Sequence, residues 1–192
     1  ERMGRHRSWG FATQLYSVRS RESWGVGDLI DLEDLAVWSA AEHQAGFLLV
    51  NPLHAAEPMA PMEPSPYLPS SRRFANPLYL RVERIPEYAV ASAQQREEID
   101  KIKARLLAEL ADSAQIDRDR SWTAKSEALK IIFTVPRSAG RDASFAAYRR
   151  REGGGLERFA TWAVLAEEYG RSFKDWPIEL QDPESPTVVA FI

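Results

Sequence analysis

Between Gln44 and Asn76 the chain changes character twice, and this restricts its fold more than any other feature. Phe47-Leu48-Leu49-Val50 is a continuous apolar run. A short run without polar alternation suits a strand buried on both faces, as in a parallel sheet covered by helices. Ahead of it, Leu29, Leu32, Leu35, Ala36 and Ala40 recur at helical spacing, with Trp38 nearby. Asp28 or Asp31 can cap that helix, and Asp31, Glu33 and Asp34 suit the positive end of its dipole. The pattern predicts a helix to about Gln44, with Gly46 as its stop. Further upstream, Phe11 to Val18 alternates partly and reads as a strand, and Arg19 to Asp28 reads as a loop. Strand, loop, helix, glycine, strand is one βαβ unit, which makes the fold class α/β.

The second change follows at once. The stretch from Asn51 to Asn76 holds Pro52, Pro58, Pro61, Pro64, Pro66 and Pro69. Prolines at this density forbid a helix and stiffen the backbone into extended and turn forms. Tyr67, Phe74, Leu68 and His54 supply apolar surface to order the loop, and long ordered loops are usually functional. Leu78 to Val82 reads as extended. From Gln95 the periodicity turns helical, with Ile99, Ile102, Leu106, Leu107 and Leu110 in one stripe. Ser121 can cap a second helix holding Trp122, Ala128, Leu129, Ile132 and Phe133 inside. Ser144 or Asp142 can start a third, Gly153-Gly154-Gly155 reads as a turn, and Leu156 to Ala166 form a fourth helix ended by Gly170. Ser185-Pro186 reads as N-cap and first position of a helix that begins just before Ile192. That feature, with Glu1 in first place, leads to the expectation that both ends are cuts in a longer polypeptide. The expected division is 8–86, two β/α units with their loops; 87–184, a helical subdomain; and 185–192, the start of a helix.

Several function classes are disfavoured. The chain has no cysteine, which excludes disulfides and thiolate chemistry and fits a reducing compartment. Its 25 basic and 28 acidic residues give a net charge of -3, so nothing electrostatic favours nucleic acid or an anionic membrane. No stretch approaches the ~20 apolar residues of a membrane span. The histidines are His6, His43 and His54, none spaced with a second ligand for zinc. Gly25-x-Gly27 lacks the third glycine of a dinucleotide loop, because position 30 is Ile.

In parallel α/β folds the active site lies beyond the C-terminal ends of the strands. The loops there carry Ser23-Trp24-Gly25-Val26-Gly27-Asp28, then Asn51-Pro52-Leu53-His54, Glu63-Pro64-Ser65-Pro66-Tyr67 and Ser70-Ser71-Arg72-Arg73-Phe74. Aromatic rings, amides, hydroxyls and Arg on rigid loops are what a sugar site needs: rings stack on pyranose C–H faces, and polar groups bond the hydroxyl edges. The alternative is that Trp24 and Tyr67 merely pack the rim of the fold.

At these loops the sequence resembles glycoside hydrolase family 77, the 4-α-glucanotransferases called amylomaltase or disproportionating enzyme. The resemblance is carried by Gln14-Leu15-Tyr16-Ser17-Val18-Arg19-Ser20 with Trp24-Gly25-Val26-Gly27-Asp28-Leu29, by Leu49-Val50-Asn51-Pro52-Leu53-His54, and by Ser65-Pro66-Tyr67 followed by Ser70-Ser71-Arg72, Phe74 and Asn76-Pro77-Leu78-Tyr79. It covers about residues 8–86, and a weaker similarity extends to Trp176-Pro177-Ile178-Glu179-Leu180.

The resemblance implies the opening portion of a (β/α)8 TIM barrel with a mainly α-helical insertion. It implies transfer of α-1,4-glucan segments between maltooligosaccharides with retention, by two carboxylates ~5–5.5 Å apart. No stretch of this chain matches the family's catalytic carboxylate motifs, so Asp28, Glu57 and Glu63 have no warrant as nucleophile and the chain alone is expected to be inactive. The substrate-binding residues implied are Tyr67, stacking on a glucosyl ring; Ser65 and Asn51, bonding hydroxyls or bracing the loop; His54, pointing into the cleft; and Trp24 and Asp28, lining or supporting it. Arg72 and Asn76 are expected to hold the loop. No cofactor, metal, nucleic acid or membrane is implied; the expected partners are α-1,4-glucans and the remainder of the chain's own catalytic domain, and the lack of cysteine makes cytoplasm the expected compartment. The competing reading is a non-enzymatic carbohydrate-binding or protein-interaction module whose helical half is the working surface.

Overall fold

A computed structural model of the chain describes residues 7–57 and 59–191. By contacts the chain forms two compact units: residues 1–55 with 64–135, and residues 56–63 with 136–192. In the first unit, strand β1 (Gly10–Thr13) leads into a 3-10 turn (Leu15–Ser17), helix α1 (Leu29–His43) and strand β2 (Phe47–Val50). β1 and β2 pair in parallel, Gly10 opposite Phe47 and Thr13 opposite Val50, so the expected βαβ unit is present. Gly10 is needed for this approach: a Cβ there would sit 2.1 Å from the Phe47 carbonyl oxygen.

Local chemistry explains α1. Asp28 is its N-cap, accepting from the Ile30 and Asp31 amides, while the Asp31 carboxylate accepts from the Asp28 amide. This reciprocal box satisfies donors that a helix start otherwise leaves open. The helix ends at His43, close to the expected Gln44, but its stop is Gln44 itself, which takes the left-handed conformation, φ 55°, two residues before Gly46. Gly46 serves a different purpose, donating its N–H to Trp9 O at 2.8 Å where the chain enters β2.

The Pro-rich stretch is ordered around a short antiparallel pair, β3 (His54–Ala55) and β4 (Ser71–Ala75). The segment expected to be extended over 78–82 is instead two 3-10 turns, Pro77–Tyr79 and Val82–Arg84, the first capped by Asn76 Oδ1 on the Leu78 amide. Helices α2 (Pro86–Val90), α3 (Ala93–Leu110) and α4 (Arg118–Thr134) complete the unit. α3 opens with a capping box between Ser92 and Gln95, and α4 is capped by Asp117. Ser121, read as that cap, lies one turn inside the helix, fully buried, with its hydroxyl on Asp117 O. Ile99, Ile102 and Leu106 of α3 pack with Ala124, Ala128 and Ile132 of α4 against Trp24 and Val82 to make the core. Phe133, expected inside, is 74% exposed. α3 and α4 thus share a core with the loop after β1, although the sequence places them beyond residue 86.

The expected two-sided burial of β2 is not found: Leu48 and Val50 are partly buried, while Phe47 and Leu49 are 46% and 63% exposed. The pleat sends alternate residues to opposite faces, and only one face is partly covered. The described residues contain two two-stranded sheets and no closed barrel.

In the second unit, α5 (Ala139–Glu152) is capped by Ser138 rather than by Asp142 or Ser144, and α6 (Gly154–Tyr169) follows after the single residue Gly153, φ 57°. Gly154 and Gly155 are helical, so the glycine run is shorter as a turn than its composition suggests. Gly170 ends α6 as expected. Leu165 and Ala166 pack with Trp176, Leu180 and with Val188 of α7 (Pro186–Phe191), joined by Met59. Ser185 Oγ accepts from the Val188 amide, the expected cap of α7.

Candidate functional site

An open cleft of about 690 Å³ lies at the C-terminal ends of β1 and β2. Ala12, Thr13 and Gln14 form one wall, Leu49, Val50, Asn51 and Pro52 another, and His54 and Tyr67 close the rim. This is where a parallel α/β unit presents its loops, and the volume suits a ligand of a few rings. Of the residues singled out from the sequence, Asn51, His54 and Tyr67 are brought together here, and Trp24, Asp28 and Ser65 are not.

Tyr67 is 59% exposed, so its ring face is open to a ligand. The Pro-rich turn holds it: Ser65 Oγ accepts from the Tyr67 amide at 3.3 Å, and Leu68 N donates to Ser65 O at 3.2 Å. Ser65 therefore shapes the turn that carries the ring. His54, in β3 opposite Ala75, is partly buried at the cleft edge.

Asn51 is 2% exposed and its carboxamide is engaged internally. Oδ1 accepts from the Leu15 amide at 2.6 Å; Nδ2 donates to Pro52 O at 2.8 Å and to the Tyr79 hydroxyl at 3.0 Å. It thus ties the turn after β1 to the end of β2 and to the 3-10 turn beyond the cleft loop. Burial raises the Tyr79 hydroxyl pKa, against the hydrogen bond from Asn51.

Trp24 and Asp28 have no exposed surface, so they offer no face to a ligand in the cleft; of lining and supporting, only support is left to them. The Trp24 indole N–H donates to both Glu83 oxygens, at 3.0 and 3.1 Å, and Lys103 bonds Glu83 at 2.6 Å while lying over the indole ring. Asp28 and Asp31 bind Arg81, through Nε and through the terminal nitrogen at 3.0 Å. Burial pushes the Asp31 carboxyl up, but hydrogen bonds from Ser20, Ser23 and the Asp28 amide, with the Arg81 charge, outweigh it and hold the pKa below normal. Burial would lower the Arg81 pKa; its two carboxylates raise it overall. Lys125, wholly buried, donates to Leu78 O at 2.6 Å and Leu80 O at 2.9 Å, and burial drops its pKa to about 8 despite the pull of Asp28, Asp31 and Glu83.

This buried lattice fastens the loop after β1 to the chain that leaves the cleft loop. Arg81, Glu83 and Lys125 escaped the sequence reading, and the one local signal was a charged residue between the apolar Leu80 and Val82. Tight packing around the same loop explains Gly25 and Gly27. Gly25 has φ +77°, and a Cβ would meet Leu110 and Ser121 at 2.5 and 2.6 Å; at Gly27 it would meet the Leu15 and Val18 carbonyl oxygens at 2.1 Å. Close packing, not a phosphate, is what these glycines serve.

A separate cavity of about 310 Å³ in the second unit is lined by Trp162, Leu165, Phe173, Trp176, Leu180 and Val188 with a few polar neighbours. Those neighbours are satisfied within the protein: Thr161 by Glu157 O, Gln181 by the Lys174 and Trp176 carbonyls, and Arg158 by Glu184. Among the described residues no group of three His, Asp or Glu side chains is placed to hold a metal ion, and no helix is long and apolar enough to cross a membrane.

The family model described as 4-alpha-glucanotransferase matches residues 13–192. A 4-alpha-glucanotransferase of Mycobacterium tuberculosis is 50% identical over 198 residues, covering 100% of this chain and 27% of that protein. One from Haemophilus influenzae is 38% identical over 126 residues, 65% of this chain and 18% of that protein. The crystal structure of amylomaltase from Corynebacterium glutamicum superposes with a TM-score of 0.77 at 42% identity, covering 96% of this chain and 25% of that one. The chain therefore spans about a quarter of the length of the most similar of these proteins.

Proposed function

Since the chain belongs to the 4-alpha-glucanotransferase family, we propose that it is the opening portion of a (β/α)8 barrel and supplies one wall of a glucan-binding cleft. A barrel of this kind needs eight strands and typically ~250 residues, so a single parallel pair is a beginning only. The residues proposed to serve the sugar are Tyr67, as a stacking face, and His54, at the rim. Asn51, Ser65, Trp24 and Asp28 serve by holding the loops that carry them. The observation that carries the reading is the cleft itself, which joins Asn51, His54 and Tyr67 at the strand ends.

The transfer proposed is a retaining double displacement on α-1,4-glucans. One carboxylate attacks the anomeric carbon while an acid protonates the departing glucan oxygen. An acceptor hydroxyl then gives its proton to that same group and displaces the carboxylate. Both acids are assigned to sequence other than these residues. The cleft wall contributes by fixing rings in register with that chemistry, where misplacement by an ångström is expensive.

The test is maltotriose disproportionation by the full-length gene product. Covering an aromatic ring is worth ~1.5–3 kcal/mol, so Tyr67→Ala should lower kcat/KM by roughly tenfold or more. Unchanged transfer would remove the cleft from the reaction. The 192-residue chain alone should release no glucose.

A further inference from the structure

Two carboxamides stand next to each other at the strand ends. Gln14 follows Thr13 of β1, Asn51 follows Val50 of β2, and Thr13 and Val50 are register partners. Both border the cleft. Asn51 is engaged at Oδ1 and Nδ2 by protein partners, so neither of those atoms is left unpaired for a ligand. Gln14 is the reverse case. It is the N-cap residue of the 3-10 turn Leu15–Ser17, yet its side chain makes no capping bond. Its Oε1 is buried and has no hydrogen-bond partner among the described residues.

A buried carbonyl oxygen without a donor is costly, and native proteins keep few of them. A sugar hydroxyl both donates and accepts, so it supplies the missing donor.

We propose that Gln14 is a substrate-contacting residue of the cleft, its carboxamide binding a hydroxyl of the glucosyl unit that Tyr67 stacks on. This rests on the cleft being the glucan site. It transfers the hydroxyl-bonding role from Asn51, which the fold uses as a brace, to the neighbouring amide, which the fold leaves free.

Stability and binding separate in the test. Gln14→Met in the full-length gene product keeps the side-chain length and removes the polar atoms. Because Oε1 has no protein partner, the Tm should be unchanged or slightly raised. Affinity for maltotriose, read by calorimetry, should fall roughly 5–10-fold, the loss of one neutral hydrogen bond. A Tm several degrees lower would overturn the proposal, since Gln14 would then be bonded within the protein. Unchanged affinity in Gln14→Met, with binding lost in Tyr67→Ala, would overturn the role of Gln14 and leave the cleft standing. Unchanged affinity in both variants would overturn the cleft reading and this proposal with it.

Discussion

Replacing Arg81 by Met isolates the device that holds the first loop against the chain leaving the cleft. The Arg81 side chain is 7% exposed, and its partners Asp28 and Asp31 are 0% and 2% exposed. Met fills much of the volume but leaves two buried carboxylates facing an apolar group. Each lost charge-assisted bond is worth ~1.5–3 kcal/mol, which sums to ~3–6 kcal/mol. Both carboxylates keep backbone donors at the start of α1, and Asp31 keeps the Ser23 hydroxyl at 2.7 Å. The expected loss is therefore ~3–5 kcal/mol, the range for breaking a buried pair from one side. Native-state hydrogen exchange on the full-length gene product measures it locally. Amides of α1 should exchange about two to four orders of magnitude faster. The loss should shrink as pH falls. Asp31 has a depressed pKa in the native state, so its contribution is present above the unfolded value and disappears as pH drops through the native one. A loss below ~1 kcal/mol at neutral pH, or one that does not shrink as pH falls well below the ordinary carboxylate value of 3.8, would refute the assignment of the lattice as an electrostatic clamp.

Lys125 titrates in the opposite sense: its native pKa of about 8 lies below the ordinary lysine value of 10.5, so between those values the unfolded chain binds more protons and stability should rise with pH. The raised Tyr79 works against this only above pH 10, so the window to scan by thermal melts is 8 to 10, and Lys125→Met should flatten the slope there. Gly27→Ala would place a methyl 2.1 Å from two carbonyl oxygens, and the full-length gene product should melt many degrees lower or fail to accumulate. Gly25→Ala meets two side-chain atoms and a positive φ, so a smaller loss of ~1–3 kcal/mol is expected in denaturant titration. Ser92→Ala removes one half of the capping box of α3, and a loss of ~1 kcal/mol in exchange protection of its first turn checks it.

Features set by neighbours in sequence were legible without coordinates. An Asp cap for α1 at Asp28 or Asp31, Gly170 ending α6, Ser185 and Pro186 opening α7, the parallel βαβ unit and the non-helical Pro-rich loop all follow from spacing, caps and breakers acting within a few residues. The helix starts that were misplaced, at Asp117 and Ser138, fall where several Ser and Asp residues compete, and only packing picks one. Side-chain destination was the part that local pattern did not reveal. Trp24 and Tyr67 have the same promise as aromatic residues on loops at strand ends, yet one is wholly buried and the other 59% exposed. Glu83, 59 positions later, decides the first, and a two-residue turn from Ser65 decides the second. Asn51 and Gln14 differ in the same way: the Leu15 amide and the Tyr79 hydroxyl claim one carboxamide and leave the other. Local rules fix the backbone because its hydrogen bonds close over a few residues. Which side chains are consumed by the fold, and which are left to meet a ligand, is settled only when distant segments arrive beside them.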